Sequence, residues 1–111
     1  MNREVVWNKF AGRCAYCGRE IELKDMQVDH MVPKRCGGGD DFWNLMPACR
    51  TCNHYKRAET VESFREAISR IPQKLGEREY IYKVGMAYGF YDDKPRPVKF
   101  WFERYADLWV N

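Results

Sequence analysis

The chain of 111 residues lacks the long apolar runs, internal repeats and low-complexity segments of membrane, solenoid and disordered proteins. No stretch of about 18 consecutive apolar residues is present, which excludes a membrane-spanning helix. The first residues, Met1-Asn2-Arg3-Glu4, lack the apolar segment of a secretory signal peptide. We therefore expect an intracellular, cytoplasmic protein with no membrane partner.

Histidine is scarce, with two residues in the chain, and neither sign of charge dominates. Lys and Arg number 19 against 16 Asp and Glu, for a net charge of +3. Residues 1–57 carry ten basic against seven acidic side chains, whereas residues 58–111 carry nine of each. The small excess in the first half permits a polyanionic partner such as nucleic acid but does not require one.

Cysteine is the informative residue type, because four of the five cysteines form two Cys-x-x-Cys pairs. The pairs are Cys14/Cys17 and Cys49/Cys52. In a reducing compartment such pairs indicate a zinc site rather than disulfides, and Zn²⁺ takes four ligands in a tetrahedron. A redox-active dithiol is the alternative, which the duplicated pair disfavours. Cys36 has no partner at ligand spacing and is predicted to be a free thiol.

Glycine and proline divide the chain into short elements. Three consecutive glycines, residues 37–39, make regular structure costly, so residues 34–41 are predicted to be a flexible loop. A helix that starts after Cys49 lets Cys52 face the metal and turns Asn53 about 100° away. The predicted strands are residues 26–32, ending at Pro33, and 42–46, ending at Pro47; the predicted helices are residues 2–10, 50–57 and 60–70, the last ended by Pro72.

Beyond residue 71 the sequence is rich in aromatic residues. Residues 80–91 are apolar and interrupted by glycine, and are compatible with either helix or strand. Residues 92–97 are typical of a turn, and residues 98–105 are rich in strand formers. We expect a hairpin or helix–strand unit packed on the core, with a DNA-stacking surface or a homodimer interface as the alternatives.

The residues between and around the cysteine pairs form an ordered pattern. It runs Asp29-His30, Pro33, Gly37-Gly38-Gly39, Asn44-Leu45, Cys49-Arg50-Thr51-Cys52-Asn53 and Lys56. This pattern resembles the HNH endonuclease family, in its subgroup with two zinc-binding Cys-x-x-Cys knuckles. The resemblance covers about residues 13–57. It implies an α+β fold with a ββα-metal core, in which an antiparallel hairpin and a helix surround one catalytic divalent ion.

The resemblance also implies a role for each polar position. His30 matches the general base that takes a proton from the attacking water. Asp29 matches a ligand of the catalytic ion, and a carboxylate oxygen suits Mg²⁺ or Mn²⁺, with Ni²⁺ as a further candidate. Asn53 matches the third position, where His or Asn binds the same ion. Asn44 matches the middle position, which orients the general base or fixes the hairpin loop.

Asp29 and His30 pose a geometric question, because they are neighbours on a predicted strand. Successive side chains of a strand point to opposite faces. The two can converge on one scissile phosphate only if they straddle it or if the strand bends near Pro33.

The implied function is metal-dependent hydrolysis of DNA phosphodiester bonds, with a single site expected to nick one strand. Residues 1–71 are predicted to form the zinc-stabilised nuclease domain, and residues 72–111 an aromatic extension packed on it. A zinc-ribbon module that binds nucleic acid without hydrolysis is the alternative. Small members of the family suggest a phage, prophage or mobile-element origin. The candidates for DNA phosphate contacts, with solvated surface charge as the alternative for each, are Lys34, Arg35, Arg50, Lys56 and Arg57.

Overall fold

The computed structural model describes residues 2–110, with side chains from residue 2 to residue 105. The side chains of the last part of the predicted extension, including that of Trp109, lie outside these residues. Two compact units are present: one comprises the chain up to Val61 together with the chain from Lys99 onward, and the other is Glu62–Val98. This division differs from the boundary predicted at residue 71, because the chain returns to the first unit at Lys99.

A two-stranded antiparallel hairpin forms the centre of the first unit. Strand β1 (Gln27–His30) pairs with β2 (Leu45–Ala48), with His30 opposite Leu45 and Asp29 opposite Met46. Helix α2 (Arg50–Lys56) follows β2 after one residue, Cys49. The predicted α+β class and the ββα order of the core are therefore confirmed.

The second strand begins later than its sequence suggested. Residues Phe42–Asn44 form a 3₁₀ turn rather than strand, and the Lys9 ammonium stabilises this turn by donating to the carbonyls of Phe42 and Leu45. Pro47 lies inside β2 instead of ending it, opposite Val28. Both strands of a two-stranded sheet are edge strands, where the missing proline N–H removes no ladder bond. The carbonyl of Pro47 accepts from the Ala15 N–H at 2.8 Å.

The N-terminal helix covers one face of this hairpin. Helix α1 (Arg3–Trp7) is capped by the Asn2 side chain and continues as a 3₁₀ turn, Asn8–Phe10, in agreement with the predicted helix over residues 2–10. Val6 packs against Met26 and Leu45 in a fully buried cluster. Burial of each such side chain contributes about 1.5–3 kcal/mol, so this cluster fixes β1 and β2 in place.

The C-terminal segment of the first unit is a helix, and the strand formers of residues 98–105 were misleading. Helix α6 (Trp101–Val110) begins where the Glu103 carboxylate accepts from the Phe100 N–H at 2.9 Å, which is half of a capping box. The N–H groups of Trp101 and Phe102 donate to the carbonyls of Tyr16 and Ala15. Phe100 is buried with its ring edge-on to that of Tyr16. The aromatic residues here therefore pack against the first cysteine pair.

The second unit is helical. It contains α3 (Val61–Ser69, whose first residue belongs to the first unit), α4 (Ile71–Arg78) and α5 (Tyr80–Ala87), so the ambiguous segment 80–91 is mainly helix. Pro72 lies in the first turn of α4 and opens that helix, a position that suits its missing N–H.

No helix in the described part of the chain is long and apolar enough to cross a bilayer. Tyr80, Ile81, Tyr88 and Phe90 are exposed on the second unit.

Candidate active site and metal centre

The first cysteine pair lies on a tight turn. The Cys14 N–H donates to the Arg19 carbonyl, and the Gly18 N–H donates back to the Cys14 carbonyl. Gly18 has φ +81°, in the left-handed region that glycine adopts at little cost. A Cβ at this position would lie 2.9 Å from the Trp101 ring. The turn therefore requires glycine both for its backbone conformation and for the close approach of α6.

The second cysteine pair begins helix α2. Cys49 is the N-cap residue, and its sulfur accepts from the Cys52 N–H at 3.4 Å. The four sulfur atoms of Cys14, Cys17, Cys49 and Cys52 all lie within 4.8 Å of one another. Among the described side chains of residues 2–105, this is the one cluster of three or more His, Cys, Asp or Glu groups that could hold a metal ion. The predicted clustering of the two pairs is confirmed.

The four thiols differ in acidity because they share hydrogen bonds. The pKa of Cys14 is lowered to about 4, chiefly by the hydrogen bond from the Cys52 thiol and further by neighbouring backbone N–H groups. The same hydrogen bond raises the pKa of Cys52, and burial raises that of Cys17. Without a cation the cluster thus favours a thiolate at Cys14, and a bound cation stabilises further thiolates.

Asp29 and His30 point to different surroundings, as expected for neighbours on a strand. The Asp29 side chain is 6% exposed, whereas the His30 side chain is 25% exposed. His30 Nε2 lies 2.7 Å from Asp40 Oδ1, in the loop between the strands. The hydrogen bond with His30 and the charge of Lys34 hold the pKa of Asp40 below its ordinary value. Asp40 is therefore a carboxylate at neutral pH.

Asp29 belongs to a buried polar network. Its Oδ2 accepts from the Tyr16 hydroxyl at 2.5 Å and lies 3.0 Å from Lys56 Nζ. Burial, followed by the charge and hydrogen bond of Asp29, raises the pKa of Tyr16 far above its ordinary value, so the hydroxyl remains a donor. The other carboxylate oxygen, Oδ1, takes part in neither contact. Asp29 is thus held from both sides through one oxygen.

Lys56 is fully buried, and its position corrects the predicted phosphate contact. The side chain has no exposed surface and donates to the His30 carbonyl at 3.1 Å in addition to pairing with Asp29. A lysine in this position cannot reach a DNA backbone. It joins the end of α2 to β1 at both residues of the Asp-His pair.

Asn44 is fully buried and fixes the loop between the strands. Its Oδ1 accepts from the Val32 N–H at 2.8 Å, and its Nδ2 donates to the Val32 and Gly39 carbonyls. The main chain of Asn44 adds a bond from the Met31 N–H to its carbonyl. The Asn44 side chain therefore joins the start of the loop, at Val32, to its later part, at Gly39.

Asn53 lies half-buried on α2, one residue after Cys52. Its N–H donates to the Cys49 carbonyl, and its carbonyl accepts from the Arg57 N–H. The backbone of Asn53 is therefore held within the helix that carries the second cysteine pair.

A cavity of about 270 Å³ opens beside His30. Arg35 at its rim donates to the Ala58 carbonyl and contacts Glu59. Exposed Arg50 begins α2, and neither Arg50 nor Lys56 is among the described residues of the cavity wall. Three of the five predicted phosphate contacts are thus brought together with the Asp-His pair; the wall includes Asp29, His30, Pro33, Lys34, Arg35 and Arg57.

Arg57 carries an unusual backbone conformation at the wall of this cavity. It has φ +57° and ψ −139° as the residue that ends α2, and Ala11 is the other non-glycine residue of the described chain with positive φ. Such a conformation costs a non-glycine residue on the order of 1–3 kcal/mol. A glycine at this position would avoid that cost.

Two residues of the site were not identified from the sequence. Tyr16 lies between the first two cysteines, so the sequence places it near the metal centre. Its contact with Asp29 could not be predicted, because it depends on how the chain folds. Asp40 follows the three glycines in a segment predicted to be flexible. The available signal was its position: Asp40 is a carboxylate in the segment between Asp29-His30 and Asn44, close in sequence to both.

Comparison with known proteins agrees with this geometry. Residues 14–59 match the model of the HNH endonuclease family. The chain is also 38% identical over 45 residues to a CRISPR-associated endonuclease Cas9 of Corynebacterium diphtheriae, an alignment that covers 40% of this chain and 4% of that protein. The resemblance predicted from the motif pattern is confirmed over residues 14–59, which match the HNH endonuclease family.

Proposed function

We propose that this protein is a metal-dependent endonuclease that hydrolyses phosphodiester bonds of DNA, with His30 as the general base. The observation that carries the proposal is the placement of His30 on the wall of an open cavity that Lys34, Arg35 and Arg57 also line. A base at a cationic cleft suits an anionic phosphodiester, because the cations attract the backbone and the imidazole can take a proton from water.

The four cysteines support a structural zinc ion. Zn–S bonds of about 2.3 Å in a tetrahedron place the sulfurs about 3.8 Å apart. Cys17 Sγ and Cys49 Sγ lie 3.8 Å from one another, and the remaining pairs lie within 4.8 Å. Four closely grouped sulfurs leave no ligand position for water, so the ion would stabilise the fold rather than take part in hydrolysis.

Asp29 and Asn53 are the residues that would hold the catalytic ion. The carboxylate offers Oδ1, which is engaged by neither Tyr16 nor Lys56, and the amide offers a second oxygen. Oxygen donors fit Mg²⁺ or Mn²⁺ and disfavour zinc. Bound there, such an ion would stabilise the negative charge that builds on the phosphate and on the leaving 3′ oxygen.

The protein side chains divide the remaining work. His30 takes a proton from the attacking water as the water oxygen forms a bond to phosphorus. The bond from phosphorus to the 3′ oxygen breaks, and the released 3′ oxygen takes a proton from solvent. The products are a 5′-phosphate and a 3′-hydroxyl. Lys34, Arg35 and Arg57 hold the phosphate, and Lys56 and Tyr16 keep Asp29 in place. Because this site can cut one strand at a time, we expect a nick.

A supercoiled-plasmid assay tests this function against a module that only binds DNA. The zinc-loaded protein is incubated with Mg²⁺, Mn²⁺ or Ni²⁺, or with EDTA, and nicked and linear products are separated. We expect nicked circles with a divalent ion and none with EDTA. A folded, zinc-loaded protein that retards plasmid DNA but cleaves it with no ion would show a binding module instead.

A further inference from the structure

We propose that Asp40 is a positioning residue for His30, and that the buried Asn44 holds Asp40 in place. The effect of Asp40 on cleavage rests on the function proposed above, whereas the contact between Asp40 and His30 does not. Residue 40 lies within the matched range but is not one of the motif residues on which the resemblance to the HNH family rests.

The contact is direct and well placed. Asp40 Oδ1 lies 2.7 Å from His30 Nε2, within the range of a good hydrogen bond. Lys34 Nζ lies 3.9 Å from the same oxygen, which keeps the carboxylate charged next to the ring. The Asp40 side chain is 72% exposed, so the ion pair alone would contribute little and would not hold a mobile loop.

The loop is nevertheless held on both sides of Asp40. The Gly39 carbonyl, directly before it, accepts from Asn44 Nδ2 at 2.9 Å. The Asp41 carbonyl, directly after it, accepts from the Asn44 and Leu45 N–H groups. A Cβ on Gly38 would lie 1.8 Å from the Val32 carbonyl oxygen, so the loop also lies tightly against the chain that leaves β1. The predicted flexibility of residues 34–41 is therefore not what the contacts support.

The consequence concerns which nitrogen of His30 acts as the base. A neutral imidazole carries one proton, and the nitrogen without it is the acceptor. A carboxylate at Nε2 favours the tautomer with the proton there, since Asp40 can only accept. Nδ1 is then left with its lone pair for the proton of the attacking water, much as a buried aspartate fixes the histidine of a serine hydrolase.

An exposed carboxylate next to a general base has an opposite role as its alternative. Asp40 would then be a cover that repels the DNA phosphate and must leave before cleavage. The anchoring by buried Asn44 favours positioning, because a cover that has to move gains nothing from being held at both neighbouring residues. The two roles predict opposite changes in cleavage rate when the carboxylate is removed.

The first test is a nitrogen NMR measurement of the DNA-free protein labelled at histidine. The chain has two histidines, so His54→Gln assigns both spectra. At about pH 9, where protein histidines are generally neutral, His30 should be mainly the Nε2–H tautomer. Asp40→Ala should shift it towards a mixture, whereas Asp41→Ala should leave it unchanged. A wild-type ring that is mainly Nδ1–H, or no change on Asp40→Ala, would overturn the proposal.

The second test measures single-turnover cleavage by Asp40→Asn and Asp41→Asn, which each remove one negative charge from the same loop. Loss of a group that orients a metal-ligating histidine typically costs about 10–100-fold, and we take the same range for the orientation of His30. We expect that loss in the rate constant of Asp40→Asn at saturating DNA, partial recovery in Asp40→Glu, and no loss in Asp41→Asn. Faster cleavage by Asp40→Asn would identify a cover, and equal rates would contradict both roles. If the wild type cleaves nothing, the NMR result still decides the contact.

Discussion

The two units of this protein differ in how far their charged and polar side chains are buried. In the first unit Asp29, Asn44 and Lys56 are buried, and they are linked to His30, Tyr16 and the loop between the strands. In the second unit the ion pairs Glu62–Arg65, Glu66–Arg70 and Asp92–Arg96 join residues three or four apart, and each includes an exposed carboxylate. Polar groups are buried where the chemistry is proposed and remain solvated elsewhere.

This difference shows what the buried groups are for. A buried ion pair is weak grounds for stability, because the two charges lose their hydration, and the apolar cluster around Val6 already supplies a core. What Lys56 and Tyr16 add is a fixed position for Asp29. The surface pairs of the second unit need no such explanation. The predictions below compare residues of the two kinds.

Loss of a metal ligand should have the largest effect. Cys49→Ser removes a sulfur from the cluster, while the serine hydroxyl can still cap α2. Structural zinc contributes about 10–16 kcal/mol in zinc-finger peptides, as much as the whole stability of a domain. We expect the first unit to lose its fixed aromatic packing, measured by near-ultraviolet circular dichroism. Cys36→Ser, at an exposed cysteine, should change stability by less than about 0.5 kcal/mol; a similar loss there would count against the cluster.

Breaking the buried ion pair should come next. Lys56→Met leaves the Asp29 carboxylate buried with no cation, which typically costs about 3–5 kcal/mol. Arg70→Met breaks the exposed pair with Glu66 in the second unit and should cost less than about 0.5 kcal/mol. Urea denaturation of both variants measures the difference. Equal costs would mean that Lys56 is solvated and that the contrast between the units does not hold.

Removal of the Tyr16 hydroxyl should have a smaller effect. Tyr16→Phe keeps the ring against Phe100 but removes the hydrogen bond to Asp29, and hydrogen bonds to charged groups contribute about 1.5–3 kcal/mol. We expect a loss of that size in urea, together with weaker activation by Mg²⁺. Tyr88→Phe, at an exposed tyrosine of the second unit, serves as the control and should match the wild type in both measurements.

Relief of backbone strain should have the smallest effect, and its sign is reversed. Arg57→Gly places glycine at φ +57° and should raise stability by about 1 kcal/mol, while it lowers cleavage by removing a cation from the cavity. Arg57→Ala should lower cleavage equally without the gain in stability. If Arg57→Gly is as active as the wild type, the guanidinium is not used.

The elements that the sequence predicted best are those fixed by local spacing. Two Cys-x-x-Cys pairs have to meet around one ion, and that requirement predicts that Cys14 and Cys49 lie close together. The helix predicted over residues 60–70 is likewise present, as α3 (Val61–Ser69).

The elements that the sequence predicted poorly depend on distant contacts. Nothing in the sequence around Lys56 indicates that its ammonium is buried against Asp29, which lies 27 positions earlier in the chain. Residues 98–105 are rich in strand formers, yet the chain forms helix α6 from Trp101 because Glu103 caps the helix and Phe100 is buried against Tyr16. A homodimer through the exposed aromatics, the cytoplasmic location and the phage origin stay predictions.

The most direct measurement compares plasmid cleavage by His30→Ala and His54→Ala, each at a protein concentration that saturates the DNA. A general base contributes about 10²–10⁴-fold to rate, so His30→Ala should lose at least about 100-fold while it still binds DNA and metal. His54→Ala, at the exposed histidine of α2, should cleave like the wild type. Near-normal cleavage by His30→Ala would contradict the account at its centre.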